Sequence, residues 1–125
     1  MKNICVIFGG KSVEHDISII TAMQVLSHLP KGYNFIPIYV DRDNHFWLAD
    51  NLDKAQTFLD FSRNVKNKRA CSFVAGASRL TEVKKGKFKK SCFVHGAVLC
   101  CHGGDGEGGA LQGMLKLCKI PYTSL

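Results

Sequence analysis

Apolar positions in this chain fall into short unbroken runs and longer periodic stretches, and the two kinds alternate. Ile4-Cys5-Val6-Ile7-Phe8 is apolar throughout and ends at Gly9-Gly10, which predicts a strand over residues 3–8 buried on both faces. Residues 15–29 carry Ile17, Ile20, Thr21, Met23, Val25 and Leu26 largely at helical spacing, with Pro30 and Gly32 as stop signals. A second strand is predicted over residues 34–40, where Pro37 argues for a position near a sheet edge. Asp41-Arg42-Asp43-Asn44 reads as a turn and His45-Phe46-Trp47-Leu48 as a short return strand. The order so far is β-α-β, with the right-handed crossover that parallel strands require, followed by a hairpin.

The middle is harder to read. Residues 51–60 suggest a short helix, and residues 62–78 give no clear periodicity. Residues 79–83 and 87–93 flank Lys84-Lys85-Gly86 as a two-stranded hairpin. Residues 49–92 are therefore expected to decorate the domain. A second buried strand follows at Ala97 to Cys101, then a helix from Gly109 to Cys118 with Leu111, Met114, Leu115 and Cys118 on one face. Ile120-Pro121-Tyr122-Thr123 opens a further strand or a linker. The 125 residues suffice for one domain, 1–125, with a real core. The expected fold is α/β and Rossmann-like, three layers around a short parallel sheet.

Composition narrows the classes. Hydrophobic residues make up 46% of the chain, so a packed core is expected rather than disorder. No apolar run approaches the ~20 residues that span a bilayer, and Met1-Lys2-Asn3 leads straight into a strand, so a cytoplasmic protein without a membrane partner is expected. The net charge of +7 is concentrated in residues 63–69 and 84–90. Only Phe88 interrupts the lysines of the second cluster, so both read as solvated segments rather than a nucleic-acid surface. Six cysteines occur without a C-x-x-C pair, and Cys5, Cys100, Cys101 and Cys118 suit small buried hydrophobes. Cys100-Cys101-His102 cannot converge on one ion from a strand, because neighbouring side chains point to opposite faces. No metal site is expected.

Candidate chemistry sits in two glycine-rich loops, each between a buried strand and a helix: Gly9-Gly10-Lys11-Ser12-Val13-Glu14, and His102-Gly103-Gly104-Asp105-Gly106-Glu107-Gly108-Gly109. In a parallel sheet such loops lie at the carboxyl edge, where helix N-termini and backbone N–H groups face a ligand. Gly10-Lys11-Ser12 lacks the earlier glycine of a P-loop, since Cys5 stands there. Gly104 to Gly109 satisfies G-x-G-x-x-G, a weak signal in so glycine-rich a stretch. Glu14 either complements its helix dipole or, since Asp16 can do that, accepts from a ligand ammonium. His102 is either a structural histidine or a ligand for a carboxylate or phosphate. His15, His28, His45 and His95 show no comparable setting, and Phe46 and Trp47 read as core or interface.

These segments resemble a known family. Val6 through Ser18, reading VIFGGKSVEHDIS, is similar to the first motif of D-alanine–D-alanine ligases. Pro37-Ile38-Tyr39-Val40-Asp41 resembles their second strand; His102-Gly103, Gly106-Glu107, Gly109 and Leu111-Gln112-Gly113 resemble their next signature, and Ile120-Pro121-Tyr122-Thr123 the segment after it. The resemblance implies the N-terminal, pre-ATP-grasp domain of an enzyme that activates one D-alanine as an acyl phosphate with ATP and Mg²⁺ for attack by a second. It further implies that Glu14 binds the ammonium of the first D-alanine, that His102 lies near that amino acid, and that the backbone around Ile17 helps hold its carboxyl group. Gly9, Gly10 and Gly103 supply loop backbone.

Two positions depart from the family pattern: Gly108 replaces an acidic residue, and Ala110 replaces a hydroxyl residue at the helix start, a cap worth about 1 kcal/mol. No ATP-grasp sequence follows in these residues, so the chain alone is expected to be inactive and to bind no cofactor, with the ATP-grasp domain as missing partner and a homodimer possible. Two other readings stay open at this stage: a non-catalytic binding or regulatory module, and a stand-alone nucleotide-binding protein.

Overall fold

The computed structural model describes residues 1–11, 14–50, 52–100 and 109–124. Its elements are β1 (Lys2–Gly9), α1 (His15–Leu26), β2 (Tyr33–Val40), β3 (Phe46–Leu48), a 3₁₀ helix (Ala55–Asp60), α2 (Phe61–Asn64), β4 (Ala70–Val74), β5 (Arg79–Lys84), β6 (Lys87–Phe93), β7 (Gly96–Leu99), α3 (Ala110–Leu117) and β8 (Tyr122–Ser124). All eight strands join one sheet in the order β6-β5-β4-β3-β2-β1-β7-β8. Strands β2, β1, β7 and β8 run parallel. From β3 to β6 every pairing is antiparallel.

Period-2 alternation explains the layers. Cys5, Ile7, Ile38, Val40, Ala97 and Leu99 point to the face covered by α3 through Leu111, Met114, Leu115 and Cys118. Val6, Phe8, Tyr39 and Cys100 point to the other face, covered by Ile19 and Ala22 of α1 and by Phe58 and Phe61. Strands clothed on both sides have no polar face to show, which is why β1 and β7 read as unbroken apolar runs. The three-layer α/β expectation matches this architecture.

Two expectations need correction. Pro37 lies in an interior strand, between β1 and β3, not at an edge. Ala49 N–H donates to the Pro37 carbonyl at 2.9 Å, so the proline nitrogen also faces the β3 side. Strand β3 ends at Leu48, so no further ladder bond is asked of position 37. Second, the middle segment extends the main sheet. Strand β4 was not read from the sequence, and it bridges β3 to the expected hairpin of β5 and β6. The β4–β5 turn is tied to the end of α3: Gly76 N–H donates to Leu117 O at 2.8 Å and Ser78 N–H to Cys118 O at 2.9 Å. No helix among the described residues is long and apolar enough to cross a membrane.

Candidate functional site

Strands β1 and β7 are neighbours in parallel register, with Ile7 opposite Leu99. Their carboxyl ends therefore emerge side by side, and Cys100 N–H donates to Ile7 O at 2.8 Å to extend the pairing. Ser18, fully buried on the first turns of α1, joins the two ends. Its Oγ donates to the Cys100 carbonyl and accepts from Gly9 N–H at 3.0 Å. Gly9 and Cys100, which precede the two glycine-rich segments in sequence, are thus clamped at one edge. His102 and Gly103 lie outside the described residues, as does the second loop up to Gly108.

The first loop is shaped by what surrounds it. Gly9 and Gly10 have φ of +96° and +97°, a region in which side chains are strained. At Gly9 a Cβ would also stand 2.2 Å from Val40 O, so only glycine fits. Gly10 N–H donates to that same carbonyl at 2.8 Å. The Gly10 carbonyl turns inward and accepts from Nδ1 of His15, whose Nε2 meets the Tyr39 hydroxyl at 2.8 Å. His15 is 2% exposed, and its ring stands edge-on to that of Tyr39. Sequence reading passed over this histidine, whose partner Tyr39 lies 24 residues away.

Glu14 is the N-cap residue of α1, with φ −91° and ψ 16°. Its carbonyl accepts from Ser18 N–H at 2.9 Å, while its half-buried carboxylate makes no capping bond to the helix. Asp16 takes the first-turn acidic position and pairs with Arg42 at 3.4 Å. Ile17 lies in the first turn and is 57% exposed. The N–H groups of a helix's first turn have no intrahelical acceptor, so this edge presents donors by construction. At the other loop, α3 starts from Gly109 with φ +98° and no side-chain cap, as Ala110 at the helix start led one to expect.

Among the described residues, Asp41, Asp43 and His45 are the one grouping of metal-ligating type, with ligand atoms within 4.8 Å of one another. The Asp41 carboxylate is already committed. Asp41 Oδ1 accepts from Asp43 N–H and His45 N–H at 2.9 Å each, and Oδ2 from Trp47 Nε1 at 3.0 Å. Burial pushes the Asp41 carboxyl up, but these hydrogen bonds, with His45 nearby, prevail and hold it below the usual range. The cluster is a turn anchor for β2 and β3. It also accounts for Trp47, which packs half-buried against the α1-side core.

Comparison with known proteins decides the family. A family model described as D-ala D-ala ligase N-terminus matches residues 3–124. The chain belongs to the D-alanine–D-alanine ligase family. It is 42% identical to the D-alanine–D-alanine ligase of Thermosipho melanesiensis over 98% of this chain and 34% of that protein. The ligase of Thermosipho africanus is 40% identical over 98% of this chain and 33% of the relative. Among solved structures, the D-alanine–D-alanine ligase of Helicobacter pylori superposes with a TM-score of 0.79 at 26% identity, covering 98% of this chain and 37% of that one. The VanG D-Ala:D-Ser ligase of Enterococcus faecalis gives 0.78 at 25%, covering 97% and 35%. The chain spans about a third of the length of these ligases and corresponds to their N-terminal domain.

Proposed function

We propose that this chain supplies the first D-alanine subsite of an ATP-dependent D-alanine–D-alanine ligase, working in the cytoplasm on a peptidoglycan precursor. Glu14 accepts hydrogen bonds from the substrate ammonium, His102 lies beside the same amino acid, and the backbone around Ile17 faces its carboxyl group. Gly9, Gly10 and Gly103 allow the loops to approach closely. The observation that carries this reading is the Ser18 bridge, which fixes the bases of both loops at one sheet edge. A carboxylate at a helix start and backbone donors beside it suit a zwitterion, whose two charges need opposite partners.

ATP and Mg²⁺ serve the complete enzyme, where they would supply the acyl-phosphate chemistry. Neither is assigned to residues of this chain, because the Asp41 cluster is spent on its own turn. The ATP-grasp domain is the partner this wall of the site requires, and a homodimer fits the family. Alone, the chain binds D-alanine weakly, on the order of millimolar for half a site, binds no ATP–Mg²⁺ at micromolar concentration, and forms no dipeptide. Titration with D-alanine followed by amide NMR should move the resonances around Glu14 and Ile17 saturably. Glu14→Gln should weaken that response at least about tenfold, the scale of one lost charge-assisted bond. No saturable response to D-alanine, or an unchanged response in Glu14→Gln, would remove the proposal.

A further inference from the structure

The best-anchored polar group near this edge is one that the substrate reading does not use. His15 is buried between the glycine loop and β2, with both ring nitrogens engaged. A backbone carbonyl can only accept, so Nδ1 carries the proton shared with Gly10 O. In the neutral ring Nε2 then accepts from the Tyr39 hydroxyl. Burial, with Asp41 adding to it, pushes the Tyr39 hydroxyl up to about 12, so it stays protonated and able to donate.

One consequence concerns the next peptide unit. A trans peptide is planar, with N–H and C=O on opposite sides, and no cis bond occurs among the described residues. Fixing the Gly10 carbonyl toward the buried imidazole therefore turns the Lys11 N–H away from it, and Lys11 is exposed. The two consecutive positive φ values at Gly9 and Gly10 permit other peptide orientations as well, so the loop needs an outside restraint to choose this one.

We infer that His15 is a positioning residue: its Nδ1–H clamps the Gly10 carbonyl and that bond sets the tautomer, the Tyr39 hydroxyl holds the ring through Nε2, and together they keep the Lys11 N–H outward as a donor for the carboxylate of the bound amino acid. This rests on the reading of the edge as an amino-acid subsite. Tyr39 reaches His15 from β2 and Gly10 is held by Val40, so the clamp transmits the position of β2 to the loop in front of Glu14.

Amide isosteres separate the clamp from mere filling of space. The side-chain nitrogen of Asn falls where Nδ1 of His lies, and that of Gln where Nε2 lies. His15→Asn can therefore keep the bond to Gly10 O, whereas His15→Gln keeps only the tie to Tyr39. Long-range ¹H–¹⁵N spectra of the wild-type ring should show the Nδ1–H tautomer, and Tyr39→Phe should leave that tautomer in place, because the Gly10 carbonyl still requires the donor. D-Alanine affinity should stay within about threefold in His15→Asn and fall about tenfold in His15→Gln, roughly one hydrogen bond to a charged ligand. The Lys11 amide should respond to D-alanine and not to D-alaninol, which lacks the carboxylate.

An Nε2–H tautomer in the wild type, or equal effects of the two isosteres, would overturn the clamp. Should the wild-type chain ignore D-alanine altogether, the subsite reading falls. The clamp is then judged on the tautomer and on whether the Lys11 amide moves in His15→Gln but not in His15→Asn. If His15→Gln does not fold, His15→Leu, which matches Asn in shape and lacks its donor, takes its place in the comparison with His15→Asn.

Discussion

Ser18 shows how much a single small side chain can decide. Buried at 0% exposure, it satisfies Gly9 N–H from β1 and the Cys100 carbonyl beyond β7 with one hydroxyl. Replacing it with Ala takes the Oγ acceptor from the buried Gly9 N–H and one donor from the Cys100 carbonyl. A buried donor or acceptor left without a partner costs about 1–3 kcal/mol. Ser18→Ala should therefore lower the urea midpoint by an amount in that range with an unchanged slope, and broaden amide resonances at Gly9 before those of the distant hairpin. A loss below about 0.5 kcal/mol would mean the bridge is not needed. The place of Glu14 at the start of α1, by contrast, was legible in the sequence, since a carboxylate between a glycine loop and a helix stands out locally. Ser18 and His15 were not, because their partners Cys100 and Tyr39 lie 82 and 24 residues away.

Among the elements, the β5–β6 hairpin was readable and its setting was not. Lys85 and Gly86 both have positive φ, as a two-residue type I′ turn requires, and that chemistry is local. Strand β4 alternates buried Cys71 and Phe73 with half-buried Ala70, Ser72 and Val74, a true period of two. It is only five residues long, and the basic and small residues around it hide the signal. Once β4 joins the sheet, β6 becomes its outer strand, exposed along almost its whole length. Lys87, Lys89 and Lys90 then have a purpose that composition alone did not reveal. An unpaired strand edge invites another strand, and lysines deter it by charge. Phe88, 67% exposed among them, makes that guard necessary. The triple change Lys87→Thr, Lys89→Thr, Lys90→Thr should sediment as a larger species than the wild type at equal concentration. Identical sedimentation coefficients across a concentration series would show that the edge needs no guard.

At the scale of the whole molecule, the layered architecture was legible because β1 and β7 are apolar on both faces. The continuity of the eight-stranded sheet was not, since it depends on pairings between distant segments. That same double burial places titratable groups in the core, and their shifts have opposite signs at the two ends of the pH scale. Burial pushes the thiols of Cys5 and Cys71 up, the latter to about 12, and the Tyr39 hydroxyl likewise to about 12. A group whose pKa is raised on folding contributes stability that is fully present below its unfolded value and lost as pH climbs through the folded one. Those unfolded values are 9.0 for the thiols and 10.0 for tyrosine, so the alkaline loss runs from about 9 to 12. Asp41 works the other way: its carboxyl is held below 3.8, so its contribution is present above that value and disappears as pH falls through the folded pKa. Thermal unfolding followed from pH 3 to 12 should give a broad plateau with both shoulders. Tyr39→Phe should flatten only the alkaline shoulder above about 10, and Asp41→Asn only the acid one. A melting temperature that does not fall between pH 9 and 12 would mean that the buried thiols and the tyrosine ionise in the folded state as easily as in water, and the double-sided core described here would not be what surrounds them.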